Sequence, residues 1–451
     1  MKKFSVGTIY IFTVASRVLA QDAPNLSRSE RSLLQPEMQI EVAAGGFNKA
    51  DNATGDWGGY RQRLFDSGVE VFAFYNSIFS GNVSGGFDPG HATYVDDAYF
   101  GLKFNLQKLI GWPGLQFAIS GVNRDGDDLT HKYIGSIFST QQMVGGQRLF
   151  LYQFYLQQRL FNKQLTLKAG RFGASDDFNA SPLYGYSLNN GIDGDIRNVL
   201  FDTRFSAYPF ATWAAAIFYD PTPEFNIKLG LFQVTPRMFE NDDHGVNWNI
   251  GDHDGFTLIG QFGWAPEFFK TEVTSDGKDG ATQLLKGLPG HYWFGFTYSS
   301  WDFYPRFDGG FEDHSYGFYA HGDQMIYQER PGSDQGLVVF VASGYYPQQE
   351  ISIVPFQVNL GLNYKGLFPT RDADHTVLHF IYGDISTDFA RVTRRRHGAL
   401  ADSEKVIEFG HRFQVTKWSY IQPDLQWVID PGGTGDIPNA VVIGAEMGVT
   451  F

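Results

Sequence analysis

Ala440-Val441-Val442-Ile443-Gly444-Ala445-Glu446-Met447-Gly448-Val449-Thr450-Phe451 is the stretch on which the fold turns. Successive side chains of a β-strand point to opposite faces. Val441, Ile443, Ala445, Met447, Val449 and Phe451 therefore share one face, and Gly444, Glu446, Gly448 and Thr450 share the other. The same alternation recurs upstream. Ile421, Leu425, Trp427 and Ile429 oppose Gln422, Asp424 and Gln426. Ile407, Phe409, Phe413 and Val415 oppose Glu408, Gly410, Arg412 and Gln414, with His411 interrupting the apolar face. Phe225, Ile227, Leu229 and Leu231 oppose Asn226, Lys228 and Gly230, and Leu165, Leu167 and Ala169 oppose Thr166, Lys168 and Gly170. Between Phe150 and Arg159, the even-numbered Phe150, Tyr152, Phe154 and Leu156 are expected on the apolar face. A soluble sandwich also alternates, but here Gly, Gln and Arg sit between aromatic partners, the pattern of strands with lipid outside and a polar lumen inside.

Composition agrees. Aromatic residues make up 16% of the 451-residue chain, with 42 Phe, 23 Tyr and 52 Gly, as expected where aromatic girdles flank a lipid belt and hairpins turn on glycine. No internal run approaches the ~18 apolar residues of a spanning helix. There is no Cys, which excludes disulfide scaffolds and thiol chemistry, and the formal charge of -14 argues against a nucleic-acid partner.

Lys2 and Lys3, the apolar run from Phe4 to Val14, and Val18-Leu19-Ala20 match a cleaved signal peptide over residues 1–20. Residues 21–55 read as a polar periplasmic leader and residues 56–451 as one membrane domain. Asp56 is expected to cap a short periplasmic helix over Trp57–Ser67 that ends at Gly68. About 400 residues at ~10 per strand plus connections give a transmembrane antiparallel β-barrel, all-β, of about 16 strands, wide enough for an aqueous channel. With both ends in the periplasm, Thr416-Lys417 is a tight periplasmic turn and Lys365–Asp374 a periplasmic connection. Asp384–Ser403 and Asp430–Pro438 become extracellular loops.

Two segments are more specific. Gly55-Asp56-Trp57-Gly58-Gly59 with Arg61, Leu64 and Gly68, and Gln422-Pro423-Asp424-Leu425-Gln426-Trp427 running into Asp430-Pro431-Gly432-Gly433, resemble the opening and closing motifs of the carbohydrate-selective porins, the OprB family. Asn439–Gly444, Asp323–Tyr327, Gly336–Phe340 and Asp372–Phe380 fit the same order, so the resemblance spans nearly the whole domain. It implies a Gram-negative outer-membrane location and passive diffusion of small sugars without cofactor or energy source. It also implies a constriction of charged and polar side chains, arginines among them. Outer-membrane lipid and lipopolysaccharide would surround the barrel, and a homotrimer is one possible assembly. An aromatic at position 451 fits the signal read by barrel-assembly machinery in outer-membrane porins generally.

A sugar channel needs hydrogen-bonding groups that replace hydration briefly and release the solute again. By strand parity Glu408, Arg412, Gln422, Asp424 and Gln426 face the lumen, and Arg171 beside Phe172 is a further candidate wall cation. Each could equally solvate a wide lumen or pair across strands. The basic run Arg391, Arg394, Arg395, Arg396 and His397 falls in a loop that either folds inward or faces solvent and lipopolysaccharide. Acidic clusters at Asp125–Asp128 and Asn241–His244 lack the spacing of a calcium loop, and no zinc motif occurs around His253 or His314. Two other functions remain open: a general or anion-preferring porin, and an outer-membrane barrel hydrolase built on clustered Asp and His.

Overall fold

A computed structural model describes residues 47–240, 243–277, 280–397 and 401–451. The expected signal peptide and most of the leader lie outside the described residues.

The chain forms one closed antiparallel ring. Its strands are β1 (Val69–Ser84), β2 (His91–Asn105), β3 (Leu115–Gly126), β4 (Leu149–Leu160), β5 (Leu165–Phe172), β6 (Thr212–Thr222), β7 (Phe225–Val234) and β8 (Gly255–Trp264). They continue with β9 (Glu267–Gly277), β10 (Gly280–Pro305), β11 (Phe311–Gln328), β12 (Gly336–Tyr345), β13 (Phe356–Lys365) and β14 (His375–Asp384). The last three are β15 (Ser403–Thr416), β16 (Ser419–Ile429) and β17 (Ala440–Thr450). β17 pairs back onto β1, with Phe74 opposite Thr450 and Phe79 opposite Ala445, so no edge is left unpaired in the ring. β9 pairs only with the first part of β10, while Tyr292–Ser300 of β10 pair with β8. The wall thus has 16 strands, and Glu267–Pro289 forms a hairpin that extends past it.

The short connections lie at one rim, the periplasmic end of such barrels. Helix α1 (Tyr60–Ser67) sits there, with Gln62 N donating to Asp56 Oδ1 at 2.9 Å. It ends at Gly68, whose φ of 104° and close approach to Asn105 O, 2.9 Å from where a Cβ would stand, admit only glycine. Arg61 of α1 donates to Val71 O of β1 at 2.8 Å and to Phe451 O at 2.7 Å, bridging both sides of the closing seam. The basic run forms helix α2 (Thr387–His397) at the opposite rim, where Arg391 pairs with Asp388 at 2.8 Å and Arg394 is exposed.

Outward alternation holds through the closing strands: Ile421, Leu425, Trp427, Ile443 and Met447 are exposed, and Gln422, Asp424, Gln426 and Glu446 are buried. His411, on the outward face, is covered by Phe368 and Phe413, with ring centroids at 5.2 and 4.3 Å. In β4 the expectation fails for two residues. Ser120 pairs with Gln153 and Gly121 with Leu151, so a bulge at Tyr152 shifts the register by one. Phe150 and Tyr152 consequently point inward and are buried, whereas Phe154 and Leu156 keep the outward face.

The interior also departs from a wide aqueous bore. The connection of residues 173–211, between β5 and β6, lies inside the ring. Phe178, Tyr184, Ile192, Ile196, Val199 and Phe205 of this loop join inward-facing Phe172, Phe218, Phe232, Phe340 and Ile381 in one apolar core. Strand period cannot announce such a core, because these wall aromatics occupy positions that elsewhere carry lumenal Gly or Gln.

Candidate functional site

The predicted lumen residues of β15 and β16 turn inward and hold this loop. Glu408 accepts from Leu188 N at 2.5 Å, from Asn189 N at 3.2 Å and from the Ser187 hydroxyl. Gln422 donates to Tyr186 O at 2.8 Å and accepts from Arg412 Nε at 2.7 Å. Arg412 Nη2 reaches Gly185 O at 2.9 Å and Glu446 Oε2 at 3.0 Å. Gln426 accepts from Asn189 Nδ2 at 3.0 Å and donates to Thr140 O at 3.0 Å and to Asp424 Oδ1 at 2.9 Å. All five residues are at most 5% exposed, and Glu408, Arg412, Gln422 and Gln426 bond to the loop directly, whereas Asp424 is reached through Gln426.

Arg171 lies elsewhere. It pairs in register with Phe154 and Trp213 on the outward face. There it donates to Ala211 O at 3.0 Å and Asn247 O at 3.3 Å beneath the segment 243–249. That segment crosses the wall closely enough that a Cβ on Gly245, at φ 72°, would fall 2.1 Å from Leu151 O. Arg171 is therefore not a lumenal cation; the residue-by-residue alternation continues through it, and the covering loop buries what would otherwise meet lipid.

A second connection, residues 127–148 between β3 and β4, also folds inward. Glu404 of β15 accepts from Ile137 N at 2.8 Å and from Phe138 N at 3.0 Å. Gln142 Nε2 donates to Glu446 at 3.2 Å. Further around, Lys168 pairs with Asp177 at 2.8 Å, both side chains fully buried, and Asn198 Nδ2 donates to Gly344 O and Val354 O.

What remains open is a cavity of about 200 Å³ between these two loops and the wall from β16 through β17, β1 and β2 to β3. Its wall carries Phe74 and Tyr99, whose rings stack at 6.0 Å, together with Tyr420 and Tyr208. Arg124 Nε meets Asp97 Oδ2 at 2.6 Å, and the Tyr208 hydroxyl donates to the other Asp97 oxygen at 2.7 Å. Asp176 accepts from the Tyr152 hydroxyl and from Gln153 Nε2 at 2.8 Å. Asp193, Asp195 and Arg197 line the loop side. Burial, reinforced by Glu446, Asp195 and Glu408, pushes the Asp193 carboxyl well above its usual range, and burial raises that of Asp195 to about 6 against the opposing pull of Arg197.

None of the residues singled out from the sequence lines this cavity; they position the loop that shapes it. The lining charges were missed for different reasons. Glu446 sits on the correctly read polar face of β17, next to the residues chosen. Asp193 and Asp195 are a short acidic pair in a long connection, a signal no different from the acidic clusters at Asp125–Asp128. Those clusters are satisfied locally: Asp127 pairs with Lys132 at 2.6 Å, and Asp128 Oδ1 accepts from His131 N at 2.9 Å. At the same rim, on another part of the wall, Glu312, Asp313 and His314 approach one another, but Glu312 is engaged by Arg306 and Asp313 by His314.

Residues 90–451, which form most of this closed wall and its inward loops, match the model of the carbohydrate-selective porin, OprB family. The chain belongs to the OprB family. It is similar to Porin B of Pseudomonas aeruginosa, at 26% identity over 88% of this chain and 90% of that protein. It is also similar to putative porin QuiX of Acinetobacter baylyi, at 24% identity over 88% and 92%. The high-pH structure of Pseudomonas putida OprB aligns with a TM-score of 0.79 and 26% identity, over 90% of this chain and 99% of that one. Membership of the OprB family makes this an outer-membrane β-barrel and a carbohydrate-selective porin, a channel protein.

Proposed function

We propose that small sugars cross this porin through the 200 Å³ cavity and that residues 173–211 act as its fixed filter. The supporting observation is the composition of the lining: aromatic faces at Phe74, Tyr99 and Tyr420 beside the hydrogen-bonded Asp97–Arg124 pair. A pyranose has apolar axial faces that lie against such rings and a rim of hydroxyls that exchange hydrogen bonds with charged groups already held in place. Since Asp97 and Arg124 neutralise one another, a hydroxyl is bound without a net charge that would hold it too long.

On this reading Glu408, Arg412, Gln422, Asp424 and Gln426 act indirectly, by fixing the segment 185–190 against the wall. The protein supplies no chemistry beyond this path, and outer-membrane lipid and lipopolysaccharide surround its exposed aromatic belt. Liposome swelling provides the test. Glucose entering faster than a non-sugar polar solute of equal size, together with glucose-dependent block of single-channel current, is the expected result. Equal rates and no block leave a general porin. Turnover of a substrate without conductance would instead point to the barrel hydrolase.

A further inference from the structure

We infer that Glu404 sets the size limit of the sugar path as a positioning residue. Its carboxylate clamps the inward segment 136–138 to the extracellular turn Pro431–Gly433, and that clamp keeps Gln142 and Met143 in the cavity. This role rests on the reading of the cavity as the sugar path and adds the residue that fixes its width.

Glu404 is fully buried at the extracellular end of β15 and accepts from four donors on two separate loops. Oε1 takes the Ser136 hydroxyl at 2.6 Å and Phe138 N at 3.0 Å. Oε2 takes Ile137 N at 2.8 Å and Gly432 N at 2.6 Å. A carboxylate offers about four lone-pair sites, so these donors saturate it. The turn that supplies Gly432 N is itself tied to residues on either side of Glu404. Asp402 N donates to Gly433 O at 2.7 Å, and Lys405 Nζ reaches Asp430 Oδ2 at 3.0 Å. Gly432 stands at φ 68°, and a Cβ there would lie 3.1 Å from Gly135 O, so turn and loop are in close contact. The Asp430–Gly433 motif thereby acquires a task, closing over the segment 135–138.

What the clamp holds matters because of where the segment goes next. Ser139 N donates to Asn190 Oδ1 at 2.7 Å, Asn190 N to Ser139 O at 2.8 Å, and Gln142 N to Leu188 O at 2.8 Å, so the two inward loops are laced together. Gln142 and Met143 then line the cavity, and Gly145 O receives Arg124 Nη1 at 3.2 Å, on the cavity's charged pair. Glu404 and Glu408 both face inward from β15, one gripping each loop. Apolar contacts at Ile134 and Phe138 favour an inward loop but are non-directional, whereas the hydrogen bonds to Glu404 fix its register. A cavity of about 200 Å³ is below the ~300 Å³ of the smallest sites that enclose drug-sized ligands, so retracting two lining side chains changes which solutes fit.

Liposome swelling on the full-length protein compares glucose, sucrose and a non-sugar polar solute the size of glucose. Glu404→Gln keeps the side chain's volume but turns an N–H₂ toward donors, and the sucrose-to-glucose rate ratio is expected to rise about threefold. Gly432→Ala leaves the carboxylate intact and strains the turn against Gly135, so the ratio should shift the same way by a smaller factor. Arg391→Ala, on the rim helix, should leave it unchanged. A purely structural role would lower the thermal midpoint of Glu404→Gln without moving the ratio. That result overturns the clamp and leaves the sugar path intact. If Glu404→Gln does not assemble, Gly432→Ala and Ser136→Ala decide, and an unchanged ratio in both has the same force. Equal entry of glucose and the non-sugar solute through the unmodified protein overturns the path, and the clamp with it.

Discussion

Arg412 and Glu446 meet at 3.0 Å across an intervening strand, from β15 to β17, with both side chains 3% exposed. One side of the pair touches the loop through Gly185 O, and the other borders the cavity. Removing only the cation strands a buried carboxylate, which costs about 3–5 kcal/mol. Arg412→Met is expected to lower the thermal midpoint and to give larger, noisier single-channel currents as the segment 185–190 detaches. Unchanged conductance in a folded variant would show that the loop does not depend on this contact.

Lys168 and Asp177 form a further buried pair, tying the start of the loop to β5. Either Lys168→Met or Asp177→Leu alone should destabilise the protein by about 3–5 kcal/mol, while the double change should recover most of that loss. Denaturation midpoints of the three variants give the coupling directly.

The lipid-facing side is tested by Ile443, which is 53% exposed on the outward face of β17. Ile443→Lys places a charge at mid-depth and should cost about 2–4 kcal/mol, seen as reduced insertion into liposomes. Normal insertion would reverse the assignment of faces.

Asp195 gives a pH dependence with a defined sign. Its carboxyl is raised from 3.8 to about 6 by burial, so between these values the folded protein binds a proton that the unfolded chain does not. Stability contributed by this group is present below about 4 and is lost as pH rises through about 6. Asp195→Asn, which does not titrate, should therefore gain stability relative to the unmodified protein over that window and differ little below it. Thermal midpoints at pH 4, 5, 6 and 7 measure the difference.

The wall was legible because period two is a local property. Ile421, Leu425 and Trp427 against Gln422, Asp424 and Gln426 need only the pleat to be assigned to faces, and the helix before β1 needs only Asp56 and Gly68. The bulge at Tyr152 was not legible, since an extra residue leaves composition unchanged while reversing every preceding side chain. The path itself was obscured for a different reason. Lumenal polarity identifies residues that face inward, but a filled interior gives Glu408 and Gln426 partners on the loop, and the open space falls to residues such as Asp97 and Asp195. Which inward residues meet water depends on where residues 173–211 come to rest, and their anchors lie far away in sequence.

Leu188 and Glu408 are 220 positions apart, yet each supplies the other's hydrogen bond. A chain halted before β15 would therefore carry a loop rich in Phe and Tyr without the partners of its segment 185–190 on β15 and β16. Nor can so bulky a segment be inserted through a finished ring, because it touches strands on every side of it. Closing the barrel and filling it are thus a single step in biogenesis, and lesions in the filter should emerge first as failures of assembly and only second as changes in permeability.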